Sequence, residues 1–130
     1  MAYYLDTSAA VKLVVAEAGS AALTRWLRRR SGDVVSSDLL RTELLRVTRR
    51  GAPQQMQQAR MILDAVALFA LTSTTFERAA LVDPLELRSL DSIHLAAALE
   101  LGADLEGIVT YDQRLGDAAI ANGITVIAPT

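Results

Sequence analysis

Five short apolar runs punctuate the chain, and the segments between them carry helical spacing. Residues 2–6, Val34-Val35, residues 68–71, Gly107 to Thr110 and Ile124 to Ile127 read as strands. Runs this short and this apolar suit strands buried on both faces, and intervening helices suit parallel crossovers. The expected fold class is therefore α/β, with a mostly parallel sheet of about five strands covered on both sides. No linker or internal repeat divides the sequence, so residues 1–130 are expected to form one domain, long enough for a real core.

The helical segments have readable ends. The first runs from Ser8 to Ala16, and Gly19 breaks it. The second holds Leu23, Trp26 and Leu27 at helical spacing and closes on Arg28-Arg29-Arg30, cations at the pole where the dipole favours them. Ser36 or Ser37 is expected to cap a third helix, which carries Leu40, Leu44 and Val47 and stops at Gly51. Pro53 opens the helix over residues 54–67. Thr74 to Glu77 has the spacing of a capping box. The most apolar helix begins at Ser89 or Leu90 and ends at Gly102. The last spans Asp112 to Ala121, with Asn122-Gly123 as a left-handed cap.

Composition removes several function classes. There are no cysteines, so neither a disulfide framework nor a thiolate metal site is available. No apolar stretch is long enough to span a membrane and the start does not read as a signal peptide, so a cytoplasmic protein is expected. No Gly-rich phosphate loop or nucleophile elbow is present. A net charge of −2 conceals an asymmetry: residues 1–60 hold ten basic and five acidic side chains, residues 61–130 three and ten. All the basic residues but Lys12 are arginine, the planar fork suited to phosphates and interface pairs. Arg41, Arg46, Arg49 and Arg50 lie along the third helix as a candidate track for phosphates, against the alternative of a solvated face.

In open α/β sheets, sites form beyond the carboxyl ends of the strands, where strand order reverses. Asp6 closes the first strand, and Asp112 lies just past the end of the fourth. Asp91 opens the most apolar helix, and Glu43 stands among Leu40, Leu44 and Val47. Each alone reads equally well as a cap or a surface acid. Together at one sheet edge they would repel, and a hard divalent cation, Mg²⁺ or Mn²⁺, relieves that repulsion. One histidine and no cysteine supply zinc chemistry poorly. The acids suit metal-assisted phosphoryl transfer, in which the ion activates an attacking water and stabilises a leaving 3′ oxygen. Thr7, Ser8, Ser92 and Thr110 are candidates to orient those acids or their waters. His94 reads as a packed helix histidine with one hydrogen bond.

These residues give the chain a family resemblance. "YYLDTSAAVKL", "SSDLLRTELLRV", "LRSLDSIHLAAALELGAD" and "GIVTYDQRL", in that order, resemble the acidic motifs of the PIN-domain nucleases, specifically the VapC-type toxins of toxin–antitoxin pairs. The resemblance covers nearly the whole chain. It implies a three-layer α/β/α PIN-like fold and an acidic quartet at Asp6, Glu43, Asp91 and Asp112, which hold Mg²⁺ or Mn²⁺ for endoribonuclease activity. It matches Ser8 and Thr110 to accompanying hydroxyl positions. It further implies a homodimer and inhibition by a VapB-type antitoxin within a toxin–antitoxin hetero-oligomer. An antitoxin tail is expected against the apolar helix surfaces near residues 8–50, with Trp26 a candidate anchor or a core residue. The alternatives are a housekeeping PIN nuclease of RNA processing and a non-catalytic partner-binding scaffold. A haloacid-dehalogenase phosphatase needs a second acid where Ser8 stands, and a receiver domain needs a late lysine that the chain lacks.

Overall fold

The computed structural model describes residues 1–130. Its strands are β1 (Ala2–Leu5), β2 (Val34–Ser37), β3 (Ala67–Phe69), β4 (Leu105–Val109) and β5 (Val126–Ile127). Its helices are α1 (Thr7–Val14), α2 (Ser20–Arg28), α3 (Leu39–Gly51), α4 (Met56–Ala65), α5 (Ser73–Leu81), α6 (Ser89–Leu99) and α7 (Gln113–Ala121). The strands form one sheet in the order β3-β2-β1-β4-β5, and every neighbouring pair is parallel.

The pleat of the two central strands divides the interior. Leu5 and Val109 face one side and join Ala9, Ala10, Leu23, Leu40, Leu44 and Leu63 from the first four helices. Their neighbours Tyr4 and Ile108 face the other side and meet Leu95 and Ala98 of α6 and Leu115 and Ala118 of α7. Successive strand residues point to opposite faces, so one sheet serves two cores and the fold has three layers, α/β/α. Helix α5 packs outside against α6. Each fully buried leucine in these cores contributes roughly 1.5–3 kcal/mol. No helix is long and apolar enough to cross a membrane.

Several local expectations shift, each for a visible reason. Helix α1 starts at Thr7 rather than Ser8, because Asp6 takes the N-cap. Ser36 and Ser37 belong to β2 and cap nothing; Ser36 donates to the Leu5 carbonyl across the sheet (2.6 Å), while Asp38 precedes α3 without a side-chain cap. Pro53 opens a 3₁₀ turn, Pro53–Gln55, and α4 begins only after it. The capping box is formed by Thr72 and Thr75, not Thr74 and Glu77: β3 ends at Phe69, α5 starts two residues early, and the buried Thr75 hydroxyl needs partners. Asp112 caps α7 instead of opening it.

β4 and β5 close together at Gly107. A Cβ there would lie 2.7 Å from Ile127 Cδ1 and 2.9 Å from the Thr125 carbonyl oxygen. That carbonyl accepts from Ile108 N (2.9 Å) and is fixed by the sheet. Gly107→Ala is therefore expected to destabilise the protein by about 1–3 kcal/mol, measured as a lower urea midpoint at unchanged slope.

Candidate functional site

Strand order reverses at β1: β2 lies to one side and β4 to the other. The crevice beyond the ends of β1 and β4 is the switch point of the sheet. Asp6 leaves β1 there, and Thr110, Tyr111 and Asp112 leave β4.

Asp6 is only 3% exposed and is held by every donor around it. Its Oδ1 accepts from Ala9 N (3.0 Å) and Ser8 Oγ (2.8 Å). Its Oδ2 accepts from Thr110 Oγ1 (2.6 Å), with Ser8 Oγ at 3.0 Å. The Ala9 bond is an N-cap, and the α1 dipole favours the negative charge. Burial still raises the Asp6 carboxyl above the ordinary aspartate range, against the pull of the Thr110, Ala9 and Ser8 bonds. The two hydroxyls also tie down the chain after β4. Ser8 Oγ accepts from Tyr111 N (2.9 Å) and Thr110 Oγ1 from Asp112 N (3.1 Å).

Asp112 caps α7 through Oδ1, which accepts from Leu115 N (3.0 Å). Asp91 stands in the first turn of α6, half-buried and without a protein hydrogen bond to its side chain. Burial raises its carboxyl first, then the charge on Asp112; His94 opposes them and Glu43 adds to them. The charges of Asp112 and Glu43 thus both act on Asp91. No three His, Asp or Glu side chains gather closely enough to form a metal cluster by themselves.

Glu43 is differently placed. Its Oε1 accepts from Thr7 Oγ1 (2.6 Å) and from His94 Nε2 (2.5 Å). Thr7 therefore serves Glu43 rather than Asp6, and Arg46 forms no ion pair with it. Partial burial pushes the Glu43 carboxyl up, but the hydrogen bond and electrostatic pull of His94, with the Thr7 bond, outweigh it and hold the group below its usual range. His94 is itself buried, and its Nδ1 meets the hydroxyl of Tyr4 (2.7 Å), which also meets Ser37 Oγ (2.8 Å). His94 has three ring partners, Tyr4 at Nδ1 and Glu43 and, more distantly, Thr7 (3.3 Å) at Nε2, not the single one expected. Sequence reasoning gave Tyr4 no role and took Ser37 only as a candidate helix cap. The available signal was a phenol in a strand expected to be wholly buried, since a buried hydroxyl needs a partner.

The remaining candidates lie apart from the acids or on the surface. Ser92 Oγ turns back to the Ser89 carbonyl (2.7 Å) within its own helix. Arg41 pairs with Asp38 (2.8 Å). Arg46, Arg49 and Arg50 are exposed on α3, and no carboxylate of the chain pairs with them. Trp26 stacks edge-on with Tyr3 (4.8 Å) and lies under the Arg30 guanidinium (4.2 Å), which places it in the packed structure.

Comparison with known proteins follows the same lines. The family model for the PIN domain matches residues 3–121. Ribonuclease VapC46 of Mycobacterium tuberculosis (strain H37Rv) is 43% identical, over 99% of this chain and 98% of that protein. Ribonuclease VapC47 of M. tuberculosis (strain CDC 1551) is 41% identical, over 97% and 96%. In fold, the chain is similar to the crystal structure of M. tuberculosis VapC20, a toxin that cleaves the sarcin–ricin loop. The TM-score is 0.77 at 20% identity, covering 98% of this chain and 100% of that one. A toxin–antitoxin complex from Klebsiella pneumoniae gives a TM-score of 0.72 at 21% identity, covering 100% and 98%.

Proposed function

Since this chain belongs to the PIN-domain family, within its VapC toxins, we propose that it is a metal-dependent endoribonuclease and the toxin of a toxin–antitoxin pair. The observation that carries this reading is the convergence of Asp6 and Asp112 at the β1/β4 switch point, with Asp91 and Glu43 electrostatically coupled beside it.

The donor set fits a hard cation, because every candidate ligand is a carboxylate oxygen. Mg²⁺ keeps several waters and takes few carboxylates, so it needs no closed protein cage. Asp6, Asp91 and Asp112 would hold the ion, with Glu43 joining directly or through water. When bound, such an ion supplies positive charge against the phosphate oxygens and acidifies an attacking water.

The chain's own residues set up the rest. Ser8, Thr110 and Ala9 N fix both oxygens of Asp6, so its orientation is set before RNA arrives. The first turn of α7 fixes Asp112 in the same way. His94 is not placed to deprotonate an RNA 2′-hydroxyl: it is 2% exposed, and both ring nitrogens are engaged. Ser8 has no activating histidine–acid arrangement beside it: its hydroxyl donates to Asp6, a candidate metal ligand, and accepts from Tyr111 N. Water is therefore the proposed nucleophile, and cleaved RNA is expected to carry 5′-phosphate and 3′-hydroxyl ends. End-group analysis of products made with Mg²⁺ or Mn²⁺ tests this reading. A 2′,3′-cyclic phosphate would refute the mechanism, and activity surviving exhaustive chelation would refute the metal requirement.

Arg46, Arg49 and Arg50 supply the positive charge that an acidic site needs to hold a polyanion. Arg46→Ala with Arg50→Ala is expected to weaken binding of unrelated RNAs alike and to flatten the salt dependence. The slope of log affinity on log salt should fall by about 0.7 per lost contact for single strands. Filter binding over a salt series measures it, and an unchanged slope would remove α3 from the RNA path.

The proposed partner is a small VapB-type antitoxin, and a homodimer is the proposed form of the toxin itself. An apolar cavity of about 290 Å³ lies between α2, α4 and the sheet, lined by Leu13, Leu27, Val34, Ile62 and Val66. It offers an apolar side chain of the antitoxin a seat whose Leu13, Leu27 and Val34 walls lie within residues 8–50 and whose Ile62 and Val66 wall lies beyond them.

A further inference from the structure

Four elements of the fold are joined by one line of polar atoms. Ser37 Oγ in β2 meets Tyr4 Oη in β1 (2.8 Å), and Tyr4 Oη meets His94 Nδ1 in α6 (2.7 Å). His94 Nε2 then meets Glu43 Oε1 in α3 (2.5 Å). Ser37 and Tyr4 are fully buried and His94 nearly so, and no buried side-chain nitrogen or oxygen in the chain lacks a partner. A polar chain through an apolar core is costly unless every member is satisfied, and satisfied it is rigid. Here it crosses from the core of one sheet face to a single carboxylate oxygen.

That oxygen belongs to the one quartet member carried mid-helix rather than at a strand end or in the first turn of a helix. Asp6 and Asp112 are oriented by their own N-caps. Glu43 has a longer, freer side chain and no cap, so its direction must be set from outside. Thr7 and His94 both bind Oε1. Oε2 has no protein partner, and because no buried oxygen is left unpartnered, Oε2 faces solvent. One oxygen is thus clamped and the other is presented. An ionised carboxylate only accepts, so Nε2 must carry a proton. Burial keeps the Tyr4 hydroxyl protonated and in place against Nδ1, which stops the imidazole from turning.

We infer that Tyr4 and His94 are positioning residues of this ribonuclease: acting through Glu43 alone, they hold its Oε1 so that Oε2 faces the cleft of Asp91 and Asp112. The inference rests on the ribonuclease reading above for its effect on catalysis, but its geometry can be tested without it. His94 is the only histidine. The imidazole ¹⁵N spectrum of the metal-free protein therefore reports this one ring. A proton on Nε2, protected from exchange, is expected; Tyr4→Phe should expose it to rapid exchange. An Nε2 found unprotonated would overturn the inference whatever the enzyme does.

The kinetic arm uses full-length protein, saturating Mn²⁺ and an RNA that the wild type cleaves. Tyr4→Phe keeps the ring and the core, and is expected to lower kcat roughly 10-fold or more at unchanged KM. His94→Gln retains a donor for Oε1 and should recover part of what His94→Leu loses. The decisive comparison is made in a Glu43→Gln background, where Tyr4→Phe should cost nothing further because its route of action is gone. Additive losses, or wild-type kcat in folded Tyr4→Phe, would reduce the chain to a structural network. Wild-type protein that cleaves no RNA would overturn the ribonuclease reading instead, and the ¹⁵N spectrum would still decide whether Glu43 is held.

Discussion

Asp6→Asn protein is expected to fold normally and to lose RNA cleavage by about 100-fold or more. The side chain is buried at the β1/β4 switch point and accepts bonds from Ser8, Ala9 N and Thr110. Asparagine fills the same volume and keeps one acceptor oxygen, so Ala9 N stays capped. Its amide nitrogen, however, presents donors where Thr110 also donates, and the charge that would hold a cation is gone. Burial disfavours the ionised form of Asp6, so the metal-free variant is expected to melt no lower than the wild type at neutral pH. Circular dichroism melts beside a cleavage assay make the comparison. Cleavage at the wild-type rate would end the metal-site model, and a large drop in melting temperature would make Asp6 primarily a structural cap.

Acidification is expected to strip the metal from the site while the chain is still folded. Asp6 and Asp91 both have folded carboxyls raised above their ordinary 3.8, so both begin to take up protons at pH values where a free aspartate is still charged. Mn²⁺ affinity should fall by about tenfold per pH unit for each carboxylate that must lose a proton to bind. The stability of metal-free protein follows the opposite sense for these two groups. Their contribution is complete below the unfolded value and is lost as pH rises through the folded one. Glu43, held below its ordinary 4.5, contributes above that value and loses its share only as pH falls through its lower folded pKa. Mn²⁺ calorimetry across pH, beside urea melts of metal-free protein, separates the two senses. A flat Mn²⁺ affinity down to pH 4 would mean that these carboxylates do not bind the ion.

Where the chemistry is local, the residues announced it. Asp6 and Asp112 each follow an apolar run and precede a helix, and that order alone puts both at one edge of a parallel sheet. The two-core sandwich was legible for the same reason, because short apolar runs such as residues 2–6 and 107–110 suit strands buried on both faces. What escaped was the set of contacts made across the fold. Glu43 and Arg46 are three apart on one helix and invite an ion pair, yet His94, 51 positions away, takes the carboxylate. The capping box was misplaced because Thr74 and Glu77 satisfy the pattern, whereas the deciding fact, burial of Thr75 against α6 and Glu100, is tertiary. Ser36 and Ser37 looked like caps because serine so often caps, but both hydroxyls are consumed across the sheet, by Leu5 and Tyr4.

The pairing of β1 with β4 has a consequence for how such a protein is made. Thr110, which donates to Asp6 Oδ2, is translated 104 positions after it, and β1 finds its β4 partner only then. Contacts of that separation form late and slowly, after a long loop has closed. A growing polypeptide still threaded through the ribosome therefore carries its first acid in an unformed crevice. Until β4 has been made and has docked on β1, the crevice that holds Asp6 has only one wall, so the order of synthesis delays assembly of the acidic site.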